Sequence, residues 1–230
     1  MFMVESNTRN RIKIWPGVIC FTGTDGTGKT TQADLLLDEA KATNKRVVYR
    51  WFHYARLFSL PLLVYARLCK YSRYEEVDEQ KFGWWEFEAS WILCNILPWL
   101  MLIDAFCFSI IRIYLPLLRG YSIIADRYIW DIMVDIMQGT SRNDLHLETV
   151  GKLFLKLAPR NTAVFLLDAD VDSLPERRND IKNDKRLQNR VLCYRKLAND
   201  TGIPIINAGN TIDTIHDEII TILNRRRNTL

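Results

Sequence analysis

The sequence predicts an α/β fold in one domain, and three observations carry that reading. Short apolar runs read as strands at residues 18–21, 46–50, 120–125 (turn and strand), 162–167 and 203–207. Helical patterns separate them, with apolar stripes at i, i+3 and i+4 spacing. A glycine-rich loop stands between the first strand, Val18-Ile19-Cys20-Phe21, and the first helix, opened by Thr31 and striped by Leu35, Leu36 and Ala40. At 230 residues, one domain with a substantial core is expected, and neither an internal repeat nor a low-complexity linker divides the chain.

That loop organises the rest. Gly23-Thr24-Asp25-Gly26-Thr27-Gly28-Lys29-Thr30 matches G-x-x-x-x-G-K-[ST] at every fixed position, with the strand before it and the helix after it that the motif requires. Glycines let the backbone curl so that successive N–H groups form an anion nest, and the helix N-terminus adds partial positive charge. Lys29 is placed to reach β- and γ-phosphates, the Thr30 hydroxyl to ligate Mg²⁺, and Thr31 to continue the cradle. The expectation is a nucleoside triphosphate site, ATP with Mg²⁺, on a three-layer fold of P-loop NTPase type.

Composition narrows the alternatives. A net charge of +4 suits phosphate ligands and is too small for a nucleic-acid binder. The five cysteines are scattered without a CxxC pair and read as reduced core thiols of a cytoplasmic protein. The three histidines are too dispersed for a metal site. Residues 1–15 are polar and basic and lack the apolar core of a signal peptide.

Residues 52–118 form an enlarged apolar region. Arg56–Tyr71 is largely apolar, a charged and aromatic stretch covers Tyr74–Glu88, and Trp91–Leu118 approaches transmembrane length. Asn95, Pro98, Asp104 and Arg112 interrupt that last run. The region is therefore expected to fold as helices packed on the sheet and on a second copy of the chain, without membrane contact, because one core cannot easily cover both apolar runs.

The third strand delivers Asp126-Arg127-Tyr128 to its carboxyl end, where open α/β sheets bind ligands. Asp126 can hold Mg²⁺ or orient a nucleophile, and Arg127 can grip a phosphate with its fork; a surface ion pair is the alternative. Asp131 and Asp135 follow one helical turn apart, as a solvated face or as contacts to sugar hydroxyls. Arg177, Arg178, Lys182, Lys185 and Arg186 form a charged run, either a solvated face or, at about 178–187, a mobile lid carrying cations to a transferring phosphoryl group.

Together these residues resemble the thymidylate kinases. Phe21–Gln32 is similar to that family's phosphate loop, and Leu115–Gly120 leading into Asp126-Arg127-Tyr128 to its helix, turn, strand and Asp-Arg-Tyr signature. Phe165–Asp168, Arg177, Arg190 and Tyr194 are similar to the strand, lid and post-lid helix. The resemblance spans residues 17–55 and 112–222. It implies a five-stranded parallel sheet, a homodimer, Mg²⁺-ATP as donor and a nucleoside monophosphate as acceptor, dTMP first.

By the same resemblance, Asp25 approaches the acceptor's sugar 3′-hydroxyl and Arg127 its phosphate, with Arg50, Tyr128 and Asp131 also on the acceptor side. Asp126 lies near Mg²⁺, and Arg177 near the ATP phosphates. Gly26 stands where some members have a loop arginine, so the lid would supply the catalytic cation from Lys182, Lys185 or Arg186. The chain departs from the family after the second strand, where Arg50-Trp51-Phe52-His53 replaces the usual segment. It departs again where the thymine-reading arginine belongs: Phe106, Phe108 and Ser109 occupy that stretch, with Arg112 a turn on. A kinase of another nucleotide, nucleoside or sugar phosphate is the alternative, as is a nucleotide-regulated or membrane-associated protein.

Overall fold

The structure is a computed structural model describing residues 12, 15–52, 56–77, 80–174, 184 and 186–226, with backbone alone for 74–77 and 80–82. In chain order β1 (Val18–Thr22) passes through the glycine-rich turn into α1 (Lys29–Ala42) and on to β2 (Val47–Trp51). Next come α2 (Leu60–Leu68), β3 (Ser72–Val77), β4 (Gln80–Trp85) and α3 (Trp91–Asn95). A continuous helix, Leu97–Leu118, then runs as α4 (Leu97–Ser109), a π-helical turn (Ile110–Tyr114) and α5 (Leu115–Leu118). The chain closes with β5 (Ser122–Asp126), α6 (Ile129–Thr140), α7 (Thr149–Lys156), β6 (Thr162–Asp168), α8 (Leu187–Thr201), β7 (Ile205–Asn207) and α9 (Ile212–Arg225).

Five strands form one parallel sheet in the order β2-β5-β1-β6-β7. Every residue of β1 and β5 is buried, as expected of central parallel strands covered on both faces. Val18, Cys20, Ile123, Ala125, Val164 and Leu166 point into a core shared with α6, α7 and α8. Their neighbours Ile19, Phe21, Ile124, Ala163, Phe165 and Leu167 pack beneath α1 and α9. The chain leaves β1 toward β2 on one side and leaves β5 toward β6 on the other. A crevice therefore opens at the carboxyl ends of these two neighbours, which pair Phe21 with Asp126.

Residues 52–118 are not wholly helical. Ser72–Val77 and Gln80–Trp85 form an antiparallel hairpin outside the main sheet. Tyr, Val, Phe and Trp favour a pleated surface, and two residues separate the strands, a hairpin length that the charges of this stretch obscured. At its base Trp85 stacks on Phe87, and the Phe87 ring fills the space where a Cβ at Gly139 would lie, docking the hairpin on α6.

Asp104 does not interrupt the long apolar run. It is 1% exposed and turned inward, accepting from the backbone N–H groups of Leu57, Phe58 and Ser59 at 3.2, 2.7 and 3.0 Å and from Ser59 Oγ at 2.6 Å. Pro98 occupies the first turn of α4, where no helical N–H is needed. Of the cysteines, Cys20 and Cys193 are buried, Cys94 and Cys107 half-buried and Cys69 exposed; all five are free thiols.

Candidate functional site

The loop after β1 needs glycine for steric reasons. Gly23, Gly26 and Gly28 have φ of 136°, 84° and 85°. A Cβ at Gly23 would lie 2.5 Å from the Leu167 carbonyl oxygen of β6, so no side chain fits there. The curl is tied from within: Thr27 Oγ1 and Lys29 Nζ both donate to the Thr24 carbonyl, at 2.9 and 2.5 Å. No side chain caps α1, whose N-cap is Gly28 and whose first turn carries no acid. Its first amides have no carbonyl partner within the helix and lie at the loop, a favourable position for an anion.

A cleft of about 650 Å³ opens there, between Asp25–Thr31 and a second wall of Asp126, Arg127, Asp131, Asp135 and Arg190. Asp126, at the end of β5, is 3% exposed. Its Oδ2 accepts from Thr30 Oγ1 at 2.7 Å and from Tyr49 Oη at 3.1 Å. Burial of Tyr49 and the neighbouring Asp126 carboxylate hold that phenol protonated, well above its ordinary range. Lys29 is moved the other way. Burial, then the Arg127 charge, lower its pKa to about 8, against the pull of the Asp25, Asp131 and Asp126 carboxylates.

Arg127 has φ 69°, in the left-handed region that few side chains adopt, and its N–H donates to Phe21 O at 2.9 Å. Its guanidinium pairs with Asp25 across the cleft and with Asp131 Oδ1 at 3.1 Å. Asp131 is itself fully engaged. Its Oδ1 also accepts from Tyr194 Oη at 2.8 Å, and its Oδ2 caps the Tyr128 N–H at 3.0 Å. Burial opposes charge on Arg127, but Asp131 and then Tyr194 and Asp25 hold it protonated beyond the ordinary arginine value. Asp135 moves upward because burial outweighs the favourable Arg190 and Arg127 charges.

The cleft continues. A second cavity of about 230 Å³ shares Asp135 and Arg190 with it and is lined by Trp84, Trp85 and Arg186. Arg190 Nε donates to Gln138 Oε1 at 3.0 Å, while Gln138 Nε2 donates to the Arg186 carbonyl at 3.2 Å. A third cavity, about 510 Å³, lies on the other flank of the loop, between Gly26–Gly28 and the turn carrying Ala208, Asn210 and Thr211.

The fold thus brings Asp25, Gly26, Gly28, Lys29, Thr30, Thr31, Asp126, Arg127 and Asp131 to one cleft. Gly23 and Thr24 shape its loop, and Thr27 lines the third cavity. Tyr128 is not at the cleft. Its side chain is buried in the core, bonded through Oη to Ser109 Oγ at 2.8 Å and Leu157 O at 3.3 Å. Arg50 does not line the cleft either; Tyr49 turns toward Asp126, and strand alternation sends Arg50 to the opposite face of β2.

Arg186 sits in the second cavity, donating to the Trp85 carbonyl at 3.0 Å with its guanidinium 5.8 Å above the Trp84 ring. Arg177, Lys182 and Lys185 lie outside the described residues. Sequence reasoning missed Tyr49, Trp51, Phe52 and Gln138. Only the β2–β5 register, with Trp51 opposite Asp126, brings the first three to the site, and no local pattern encodes that register. No protein-family model matches this chain, and no curated protein matches it.

Proposed function

We propose that this protein is a P-loop kinase that moves the γ-phosphoryl group of ATP to a phosphate-bearing acceptor. One observation carries the reading. Lys29 and Thr30, at the start of α1, face Asp126 and Arg127, at the end of β5, across a single cleft. In the transfer an acceptor oxygen attacks the γ-phosphorus and ADP leaves, with negative charge spread over the equatorial oxygens. Lys29 would exchange its Thr24 carbonyl for phosphate oxygens, and the amides of the loop would surround them. Arg127 would present its fork to the acceptor phosphate, held in orientation by Asp131.

The donor set fits Mg²⁺. Thr30 and Asp126 juxtapose a hydroxyl and a carboxylate, hard oxygen ligands suited to that ion, and these two residues would hold it. Bound there, the ion would neutralise charge on the donor's phosphate oxygens. The third cavity, continuous with the loop at Gly26 and Gly28, is where the donor's base would extend.

A nucleoside monophosphate, dTMP first, is the acceptor to test. A different phosphate-bearing acceptor is favoured by a specific observation. Arg112 does not line the cleft; it donates to the Trp51 carbonyl at 3.3 Å and stacks 5.6 Å from Phe108, while Asp131 and Asp135 line the acceptor wall. A coupled assay of ADP release across nucleoside monophosphates, nucleosides and sugar phosphates decides between them. Acceptor-dependent turnover that Lys29→Ala abolishes in a folded protein supports the kinase reading. Near-normal turnover by that variant would sink it.

A further inference from the structure

The long helix Leu97–Leu118 presents a face to the outside that carries no polar side chain apart from one tyrosine. Its exposed residues are Trp99, Ile103, Phe106, Ile110, Ile111, Tyr114, Leu115 and Leu118, spaced as one helical stripe. The turn containing Leu57 and Phe58, both exposed, is fastened beside the middle of this helix by its amide bonds to Asp104. Leu60, Val64 and Leu68 follow from that turn along α2, also exposed and one helical turn apart. Near the other end, Arg112 bonds the carbonyl of Trp51, a half-exposed residue that lines the cleft.

Two partners could cover such a face: lipid or a second copy. The charge that would exclude lipid is absent from the surface, since Asp104 is buried and saturated with donors. Homodimer interfaces are typically about 65% apolar and mix polar groups into the patch. This stripe holds Trp, Phe, Ile and Leu without one charged or amide residue among its exposed positions. Exposed cations stand at the ends of both apolar runs: Lys70 just after α2 and Arg119 just after the long helix. Spanning is excluded by packing, because Met101, Ala105 and Ile113 on the opposite side of the helix belong to the core.

We infer that this face lies on the surface of an anionic phospholipid membrane, with the helix parallel to the membrane plane. The apolar stripe enters the boundary between headgroups and acyl chains, and Trp99 and Tyr114 sit at headgroup level. Lys70 and Arg119 meet the anionic headgroups. The cleft mouth at Trp51 then opens close to the lipid surface.

Vesicle flotation of the full chain, made by cell-free synthesis with vesicles present, tests this independently of any transferase activity. The chain is expected to float with phosphatidylcholine–phosphatidylglycerol vesicles and several-fold less with phosphatidylcholine alone or in high salt. The surface double variant Ile103→Ser/Ile110→Ser should lose at least ten-fold in partition with an unchanged circular dichroism spectrum. Lys70→Ala and Arg119→Ala should each lose about five-fold on the anionic vesicles alone. No flotation of the parent chain, or flotation equal in the double variant, overturns the proposal. A lipid-free dimer in light scattering that the double variant converts to monomer assigns the face to a second copy and overturns it too.

Discussion

The two walls of the cleft are held in place by different physics. The first, Gly23–Thr31, is contiguous in sequence, and its shape follows from glycine φ angles and a helix start. The second is assembled from Asp126, Arg127, Asp131, Asp135, Arg190 and Tyr194, which come from β5, α6 and α8 and are held by ion pairs and hydrogen bonds. A wall made of backbone tolerates side-chain changes that keep its curl. A wall made of charges transmits the loss of one partner to all the others. Arg127 links the two, since it pairs with Asp25 on one side and Asp131 on the other.

Four substitutions, from the largest effect down, and one titration test the contrast. Lys29→Met should lower turnover by about 10²–10³-fold, the scale for removing one preorganised charge donor. It should also raise the ligand-free melting temperature, because a buried amine with a pKa of about 8 destabilises the fold at neutral pH. A lowered melting temperature would mean that Lys29 supports the loop rather than straining it.

Asp131→Ala removes a partner from Arg127, Tyr194 and the Tyr128 amide together, and should cost about 3–5 kcal/mol in denaturant unfolding. If it cost less than 1 kcal/mol, the second wall would not be the coupled network its geometry implies. Gly23→Ala should cost about 2–3 kcal/mol through strain at φ 136° and the clash with Leu167 O, whatever the state of the second wall. Tyr194→Phe deletes one hydrogen bond and should cost about 1 kcal/mol.

The titration isolates a single charge. Between about 8 and the ordinary lysine value of 10.5, the unfolded chain holds a proton on Lys29 that the folded chain has released. Stability of the ligand-free protein should therefore rise with pH across that window, and anion affinity should fall as the amine discharges. Melting curves at pH 7.5 and 10 on parent and Lys29→Met separate this group from the rest: the variant should lack the increment.

The first wall was legible because each requirement is local. A glycine every few residues, a Lys-Thr pair and an apolar strand ahead of them specify the loop without reference to the fold. Asp126 and Arg127 were legible for a neighbouring reason, as polar residues at the end of a buried strand. The bonds that brace the second wall were not, since Tyr49 and Gln138 acquire their partners only through strand register and the packing of α8 on α6. Tyr128 was placed on the acceptor side by its position in the signature, yet its side chain turns into the core against Phe52 and Ser109. The hairpin was hidden by its own charges, and Asp104 was read as an interruption because its partners lie on another element.

The sheet order has a consequence during synthesis. β1 is the central strand and the first to leave the ribosome, but its neighbours β5 and β6 begin about 100 and 140 residues later. At the roughly 5–20 residues per second of translation, β1 waits about 5–20 seconds for its first partner. In that interval β2 is also unpaired, and the apolar segment containing Leu97–Leu118 emerges before β5 does. The nascent chain thus displays two unpaired strands and a 22-residue apolar helix at once, with no sheet to fold them against. Shielding of that exposed apolar surface until β5 and β6 emerge would raise the share of the chain that reaches the folded state.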